Sequence, residues 1–291
     1  MVGLAKGAGM RLREFFYILG LKPNYKFYRY KIQKIELPKE GIIEFACWLA
    51  PKHHELVLNQ SEVDELRTFI NEGDLAIDVG AHIGDSTLPI ALACGASGAV
   101  IAFEPNPATF AILGANSALN PKRTNIIPMP FAVTQEDTSL TFDYGDPWLS
   151  NGGDHTGMSI FTHGSAFSIP VEGRRIEPII REKYPERIAR LRYIKTDAEG
   201  SDWNAIKSLD GLIKQFRPYV KTEVGWTTTQ IDREEIYKFF TDLDYELRLA
   251  QEDTLFGPKI TREDMFGKDT IDIFAIPCSL PGGFKHQVQN T

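Results

Sequence analysis

Three short runs in this chain carry residues that could do chemistry together. The first is Asp78-Val79-Gly80-Ala81-His82-Ile83-Gly84-Asp85-Ser86, the second Phe103-Glu104-Pro105-Asn106-Pro107, and the third Lys195-Thr196-Asp197-Ala198-Glu199-Gly200. Glycines at a strand-to-helix turn let backbone approach a nucleotide-like ligand, and an acid after the next strand accepts hydrogen bonds from ribose hydroxyls. Glu104 stands 20 residues beyond Gly84, the spacing such an acid takes. Pro105 fixes the turn that follows and removes a donor.

The first run suits one ligand better than another. A dinucleotide site wants Gly-x-Gly-x-x-Gly with pyrophosphate on the helix N-terminus. Here His82 falls where the second glycine of that pattern would be, and Asp78 and Asp85 are expected to turn two carboxylates toward any diphosphate. Like charges at such range oppose one another strongly in a partly buried site. S-adenosylmethionine has no phosphate and carries a cationic amine and sulfonium, so an acidic turn favours it. A nicotinamide-dependent oxidoreductase is the competing reading, disfavoured by the missing glycine and the acid. A noncatalytic protein that keeps a cofactor-binding fold is a third.

In the third run, two acids two residues apart project beside one crevice at a strand end. Asp197 could meet the methionyl amine, an incoming hydroxyl or a metal; Glu199 could orient the loop or act as general base, given a pKa raised by burial. Glu223 is a candidate third acid on the same rim. Three oxygen ligands could hold Mg²⁺ or Ca²⁺, but their spacing does not establish a site, and no metal is predicted. His155 and His163, in a polar stretch, are further candidates for the base because an unperturbed histidine titrates near pH ~6.5. Asp154, Thr156 and Ser159 could bond a polar substrate there, Trp148 and Phe161 could stack on a ring, and Gly152, Gly153 and Gly157 could hinge a lid.

The elements that must position these residues read as alternating strands and helices, which argues for a mainly parallel sheet. Core strands are expected at 75–79, 99–103, 125–128, 192–196 and 219–224, with a terminal hairpin from 245–250 and 271–276. Helices are expected at 61–70 (capped by Ser61), 85–94 (stopped by Gly95), 107–119, 176–189 (interrupted near Pro185), from 201 (capped by Ser201), and 232–243. Residues 42–50 form a short strand, 140–144 an extra strand or hairpin arm, and 145–168 a long polar loop of the kind that is usually functional or disordered. Phe131 to Val133 flank the third strand, and Ala132 joins the residues expected at the cofactor. The N-terminal 1–31, mildly basic and aromatic, reads as an amphipathic cap helix, with a membrane-surface or partner-binding arm as the alternative. The division is therefore a 1–60 extension and a 61–291 domain.

Read together, the three runs resemble the successive motifs of FkbM-type methyltransferases, over roughly Leu66 to Leu247. The resemblance implies a class I methyltransferase (Rossmann-like) α/β fold: a seven-stranded, mostly parallel sheet with helices on both faces, here with an N-terminal extension. It implies methyl transfer from S-adenosylmethionine, typically to a hydroxyl oxygen, on a carbohydrate or a small secondary-metabolite-like compound. It assigns Asp78, Gly80, Gly84 and Glu104 to the cofactor, and Asp197 and Glu199 to the active-site rim. With the residues beside them, the expected cofactor set is Asp78, Gly80, His82, Gly84, Asp85, Ser86, Glu104, Pro105, Asn106, Ala132 and Asp197. The expected catalytic set is Asp197, Glu199 and His155. The family more often has Asn at the position of His82 and Glu at that of Asp202.

Composition limits the partners. A formal charge of −7 with no basic stripe among aromatics excludes nucleic acid as the main partner, because phosphate neutralisation needs such a patch. Cys47, Cys94 and Cys278 are too far apart in sequence for a Cys-x-x-Cys pair or a disulfide framework, so a reducing cytoplasm fits best. No stretch approaches the roughly 20 apolar residues that span a bilayer, so no stable membrane insertion is expected. Oligomeric state is not legible.

Overall fold

In a computed structural model, the described residues are 24–51, 53–144, 149, 152–153, 167–225, 227–251, 253–267 and 269–279. Strands β1 (Tyr30–Leu37) and β2 (Gly41–Trp48) make an antiparallel hairpin. The central sheet comprises β3 (Leu75–Val79), β4 (Ala99–Phe103), β5 (Ile126–Met129), β10 (Leu191–Thr196), β11 (Tyr219–Val224), β12 (Tyr245–Ala250) and β13 (Ile271–Pro277). A smaller sheet holds β6 (Ala132–Val133), β7 (Thr138–Tyr144), β8 (Gly152–Gly153) and β9 (Phe167–Arg174).

The seven central strands run in the order β12-β13-β11-β10-β3-β4-β5. Neighbours from β11 to β5 are parallel, and β13 inserts antiparallel between β11 and β12. Every residue of β3 and β4 is buried, as expected of unbroken apolar strands covered on both faces. Period two divides them between two cores. Leu75, Ile77, Val79, Ile101 and Phe103 pack with Ile180, Ile206, Leu212 and Phe240 on one side. Ala76, Val100 and Ala102 meet Ile90, Cys94, Leu113 and Ile70 on the other. The helix Thr87–Cys94 is buried at all eight positions, matching its apolar sequence, and stops at Gly95 with φ +70°.

The α/β fold, the sheet and the strand borders agree closely with the sequence-based expectations; several local details differ. Residues 24–29 form no helix and Tyr30 and Lys31 belong to β1, so this part is not the expected N-terminal cap helix; residues 1–23 of that expectation lie outside the described residues. Helix Gln60–Leu66 starts one residue before Ser61, with Asn59 at its N-cap and no side-chain cap. Gln60 is tied to Glu40 and to the Lys39 N–H, which sets that start. The helix ends at Leu66, so Phe69 is released into an aromatic cluster with Tyr193, Tyr219 and Phe274. Strand β9 was not expected: Pro170 and Gly173 interrupt its pattern, yet residues 167–173 pair with the whole of β7. The helix 176–189 breaks at Tyr184 into Ile176–Lys183 and Pro185–Ile188, as Pro185 requires.

The β1–β2 hairpin packs on this frame through Asn116. Its Oδ1 accepts from the Ala46 N–H at 2.6 Å, and its Nδ2 donates to Ile83 and Ala46 carbonyls at 2.8 and 3.2 Å. Phe45 and Trp48 join Leu88, Ile112 and Tyr144 in a third core.

Candidate functional site

The three runs converge at the carboxyl ends of adjacent strands β4, β3 and β10. Backbone bonds fasten them before any side chain acts. The Gly80 and Ala81 N–H groups donate to the Phe103 carbonyl at 3.0 Å, and the Asp197 N–H donates to the Val79 carbonyl at 3.0 Å. Gly80 has φ +77°, and a Cβ there would lie 1.9 Å from the Asp197 carbonyl oxygen. Only glycine permits this approach.

Above these strand ends lies a cavity of about 550 Å³, a size typical of small-molecule sites. Gly80, His82, Glu104 and Asp197 line one side. Opposite stand Thr138, Leu140, Phe142 and Tyr144, alternate residues on one face of β7. The small sheet therefore roofs the crevice of the large one.

Of the residues expected from sequence, Gly80, His82, Asp85, Ser86, Glu104, Pro105, Asn106, Ala132, Asp197 and Glu199 border this cavity. Asp78 and Gly84 do not. Asp78 is fully buried, accepting from Thr87 Oγ1 at 2.7 Å and Ser86 Oγ at 3.2 Å, and pairing with Lys195 Nζ at 3.2 Å. Its charge is neutralised within the protein, so it does not face a diphosphate as its sequence position suggested. Burial works against the Lys195 ammonium, but Asp78 and then Asp197 hold its pKa above the usual lysine range. His155 lies outside the described residues, as do Trp148, Asp154, Thr156, Ser159, Phe161 and His163.

Glu104 is buried at the tip of β4. Its Oε2 accepts the His82 N–H at 2.8 Å and its Oε1 the Asn106 N–H at 2.8 Å. With the Thr109 hydroxyl also bonded to it, the carboxylate still has acceptor capacity for a ligand hydroxyl. Burial raises its pKa, and the Asn106 and His82 contacts oppose that rise. Asn106 is committed elsewhere: Oδ1 caps helix Pro107–Ala118 through the Ala108 N–H, and Nδ2 donates to the Leu149 carbonyl at 2.7 Å.

His82 adopts φ +50°, and its ring stacks on His53 with centroids 5.4 Å apart. Its Nε2 is buried and has no hydrogen-bond partner among the described residues. The Asp197 carboxylate, about half exposed, stands 3.7 Å from Lys195 Nζ. Glu199 follows on the exposed lip at φ +49°. Loss of water and then Asp197 push its carboxyl upward. Ser201 occupies the N-cap of helix Asp202–Ser208 but makes no side-chain cap bond. Asp202 instead ties down the loop that precedes the helix, accepting N–H groups of Ala198 at 2.9 Å and Gly200 at 3.3 Å. Burial pushes Asp202 up to about 6. Glu223 sits behind the lip, outside the cavity lining, pushed up to about 7 by burial and then by Asp197 and Asp202. Among the described residues no group of three or more His, Cys, Asp or Glu side chains is arranged to hold a metal ion.

The profile of the Methyltransferase FkbM domain matches residues 78–247, more than half of the chain. The chain belongs to the FkbM methyltransferase family. Its seven-stranded, mostly parallel sheet with flanking helices is the α/β architecture expected above. Among curated relatives, the hexuronic acid methyltransferase AglP of Haloferax volcanii is 25% identical over 71% of this chain and 76% of its own length. The methyltransferase sdnD of Sordaria araneosa is 24% identical over 46% of this chain, which spans 60% of that relative. Among solved structures, methyltransferase FkbM from Methylobacillus flagellatus aligns with 69% of this FkbM chain and 43% of its own, at 15% identity and a TM-score of 0.43. Fibrillarin of Aeropyrum pernix aligns with 88% of this chain and 96% of its own, at 12% identity and a TM-score of 0.40. At those scores neither structure bears on the site.

Sequence reasoning missed Tyr144, Phe142, Leu140 and Thr138 as lining residues. Tyr144 is almost wholly buried, its hydroxyl has no partner among the described residues, and burial followed by Glu104 raises its pKa. Strict alternation along 138–144 was the available signal; the cavity under that face was not. No described helix is long and apolar enough to cross a membrane.

Proposed function

We propose that this FkbM chain is an S-adenosylmethionine-dependent O-methyltransferase acting on a hydroxyl of a carbohydrate or small secondary-metabolite-like acceptor. One observation carries the reading: a single cavity joins the ribose-type acid Glu104 and the glycine turn to the carboxylates Asp197 and Glu199. The residues present fit that cofactor. Glu104 offers acceptor capacity, Gly80 borders the same cavity, and the buried Tyr144 hydroxyl lacks a protein partner among the described residues. The AglP relative, a methyltransferase of hexuronic acid, supports both methyl transfer and a sugar-like acceptor.

Bound S-adenosylmethionine would supply a methyl carbon on sulfonium, whose departure as a neutral thioether needs no further activation. The protein's tasks are then positioning and removal of a hydroxyl proton. Glu104, Gly80 and His82 would hold the adenosyl end, with Asn106 fixing the turn beside them. Asp197 or Glu199 would accept the proton of the acceptor hydroxyl as its oxygen bonds to the methyl carbon, with His155 as the remaining candidate base. Residues 61–291 would form the catalytic unit and 1–60 its cap.

Calorimetric titration with S-adenosylmethionine and with NAD(H), followed by labelled-methyl transfer to hydroxyl acceptors, tests this. Binding of S-adenosylmethionine with acceptor turnover is expected. Tight nicotinamide binding without S-adenosylmethionine binding would replace the assignment with an oxidoreductase.

A further inference from the structure

Tyr144 forms the Glu104 end of the cavity roof, and described residues fix its ring there. It ends β7, is 1% exposed and pairs across the small sheet with Phe167. It shares the third core with Ile83, which follows His82, and with Ala108, whose N–H bonds the Asn106 side chain. His82 and Asn106 are the residues whose backbone N–H groups the Glu104 carboxylate accepts. Tyr144 and Glu104 therefore border one end of the cavity from its two sides. The phenol keeps its proton: an ordinary tyrosine loses it near pH ~10, and burial, then Glu104, moves that point higher. Leu140 and Phe142 bring no polar side-chain atom to the same face of β7. Thr138 lies six residues away, about 20 Å along an extended strand. At the Glu104 end, the side-chain donor on that face is the Tyr144 O–H.

We propose that the Tyr144 hydroxyl donates a hydrogen bond to the ribose diol of the adenosyl group, opposite Glu104, so that the two sheets grip the sugar between them. This assignment rests on the methyl-transfer reading above and deepens its cofactor site. An ionised carboxylate only accepts, whereas a diol has two O–H groups to give and lone pairs that call for donors. Glu104 accepts hydrogen bonds from the diol and leaves those lone pairs unmatched; a protonated phenol across the cavity matches one of them. The exchange also suits the protein. A buried hydroxyl without a partner is costly, and that of Tyr144 has none among the described residues. Bound ribose removes that cost.

The test is calorimetric titration of the full chain and its Tyr144→Phe variant with S-adenosylhomocysteine and with the 2′-deoxy and 3′-deoxy forms of that compound. The substitution keeps the ring and its packing and removes one oxygen. Tyr144→Phe should bind S-adenosylhomocysteine about 3- to 10-fold more weakly, the range of one hydrogen bond between neutral groups. The penalty should disappear for the deoxy form that lacks the bonded hydroxyl, since each change removes the same contact. The melting temperature of the unliganded variant should equal or exceed the parent's, because phenylalanine buries no oxygen. Unchanged affinity overturns the proposal, and a raised acceptor KM alongside it would give the hydroxyl to the methyl acceptor. A penalty that persists with both deoxy forms puts the bond away from the ribose and overturns it too. A lower unliganded melting temperature shows that the protein itself bonds the hydroxyl, with the same consequence. A parent chain that binds no S-adenosylhomocysteine fails at the earlier step and removes the methyl-transfer reading itself.

Discussion

Replacing Gly80 by alanine tests the close approach on which the site is built. The new Cβ would sit 1.9 Å from the Asp197 carbonyl oxygen, and real Cβ contacts do not fall below 3.0 Å. The turn after β3 and the turn after β10 must therefore part by about 1 Å, since hard-sphere overlap cannot be absorbed in place. The obstacle is backbone, so no side chain can swing away. Two costs add. A non-glycine residue at φ +77° loses about 1–2 kcal/mol to left-handed strain. Parting the turns also stretches the 3.0 Å bond from the Asp197 N–H to the Val79 carbonyl, worth about 1 kcal/mol. We expect Gly80→Ala to lower unfolding stability by about 2–3 kcal/mol in urea titration. S-adenosylmethionine affinity by calorimetry should fall as well, because Asp197 and the glycine turn bound the same cavity. Gly84→Ala is the comparison: its Cβ would meet first the flexible Leu113 side chain, at 3.1 Å, so it should cost little beyond the φ strain. Gly80→Ala within about 0.5 kcal/mol of the parent, the scatter of ordinary surface changes, would refute this account of the turn.

Glu104→Ala should weaken S-adenosylmethionine binding by about 1–3 kcal/mol, the scale of a lost charged hydrogen bond; unaltered calorimetric affinity would remove Glu104 from the site. Lys195→Met should destabilise by about 3 kcal/mol or more, because Asp78 would remain buried without its counter-charge. Adding Asp78→Asn should recover most of that loss in urea unfolding, and no recovery would contradict the pairing. Glu223 ionises near its ordinary 4.5 when unfolded and near 7 when folded. Between those values the native state holds a proton the unfolded chain has released, so the stability this group contributes is present below about pH 4.5 and lost as pH rises through 7. Glu223→Gln should flatten that decline across urea melts from about pH 5 to 8, and an unchanged slope would place the titration elsewhere.

The amino-acid sequence by itself determined the sheet and the acids at its strand tips. Leu75–Val79 and Ala99–Phe103 are apolar along nearly their whole length, so they could lie only inside a parallel sheet covered on both faces. Gly80, Glu104 and Asp197 follow directly at strand ends, and such positions in open α/β sheets point into one crevice whatever the loops do. That local geometry made most of the site readable.

Tertiary structure decided which of those acids meet the cavity and what closes it. Asp78 and Asp85 look alike along the chain, yet one is buried against Lys195, 117 residues away, and the other is exposed at the cavity. Periodicity places a side chain on a face; it does not say which distant residue shares that face. The roof follows the same rule. Alternation marks Thr138, Leu140, Phe142 and Tyr144 as one side of β7, but only pairing with β9, a strand disguised by Pro170 and Gly173, turns that side toward the methyltransferase crevice.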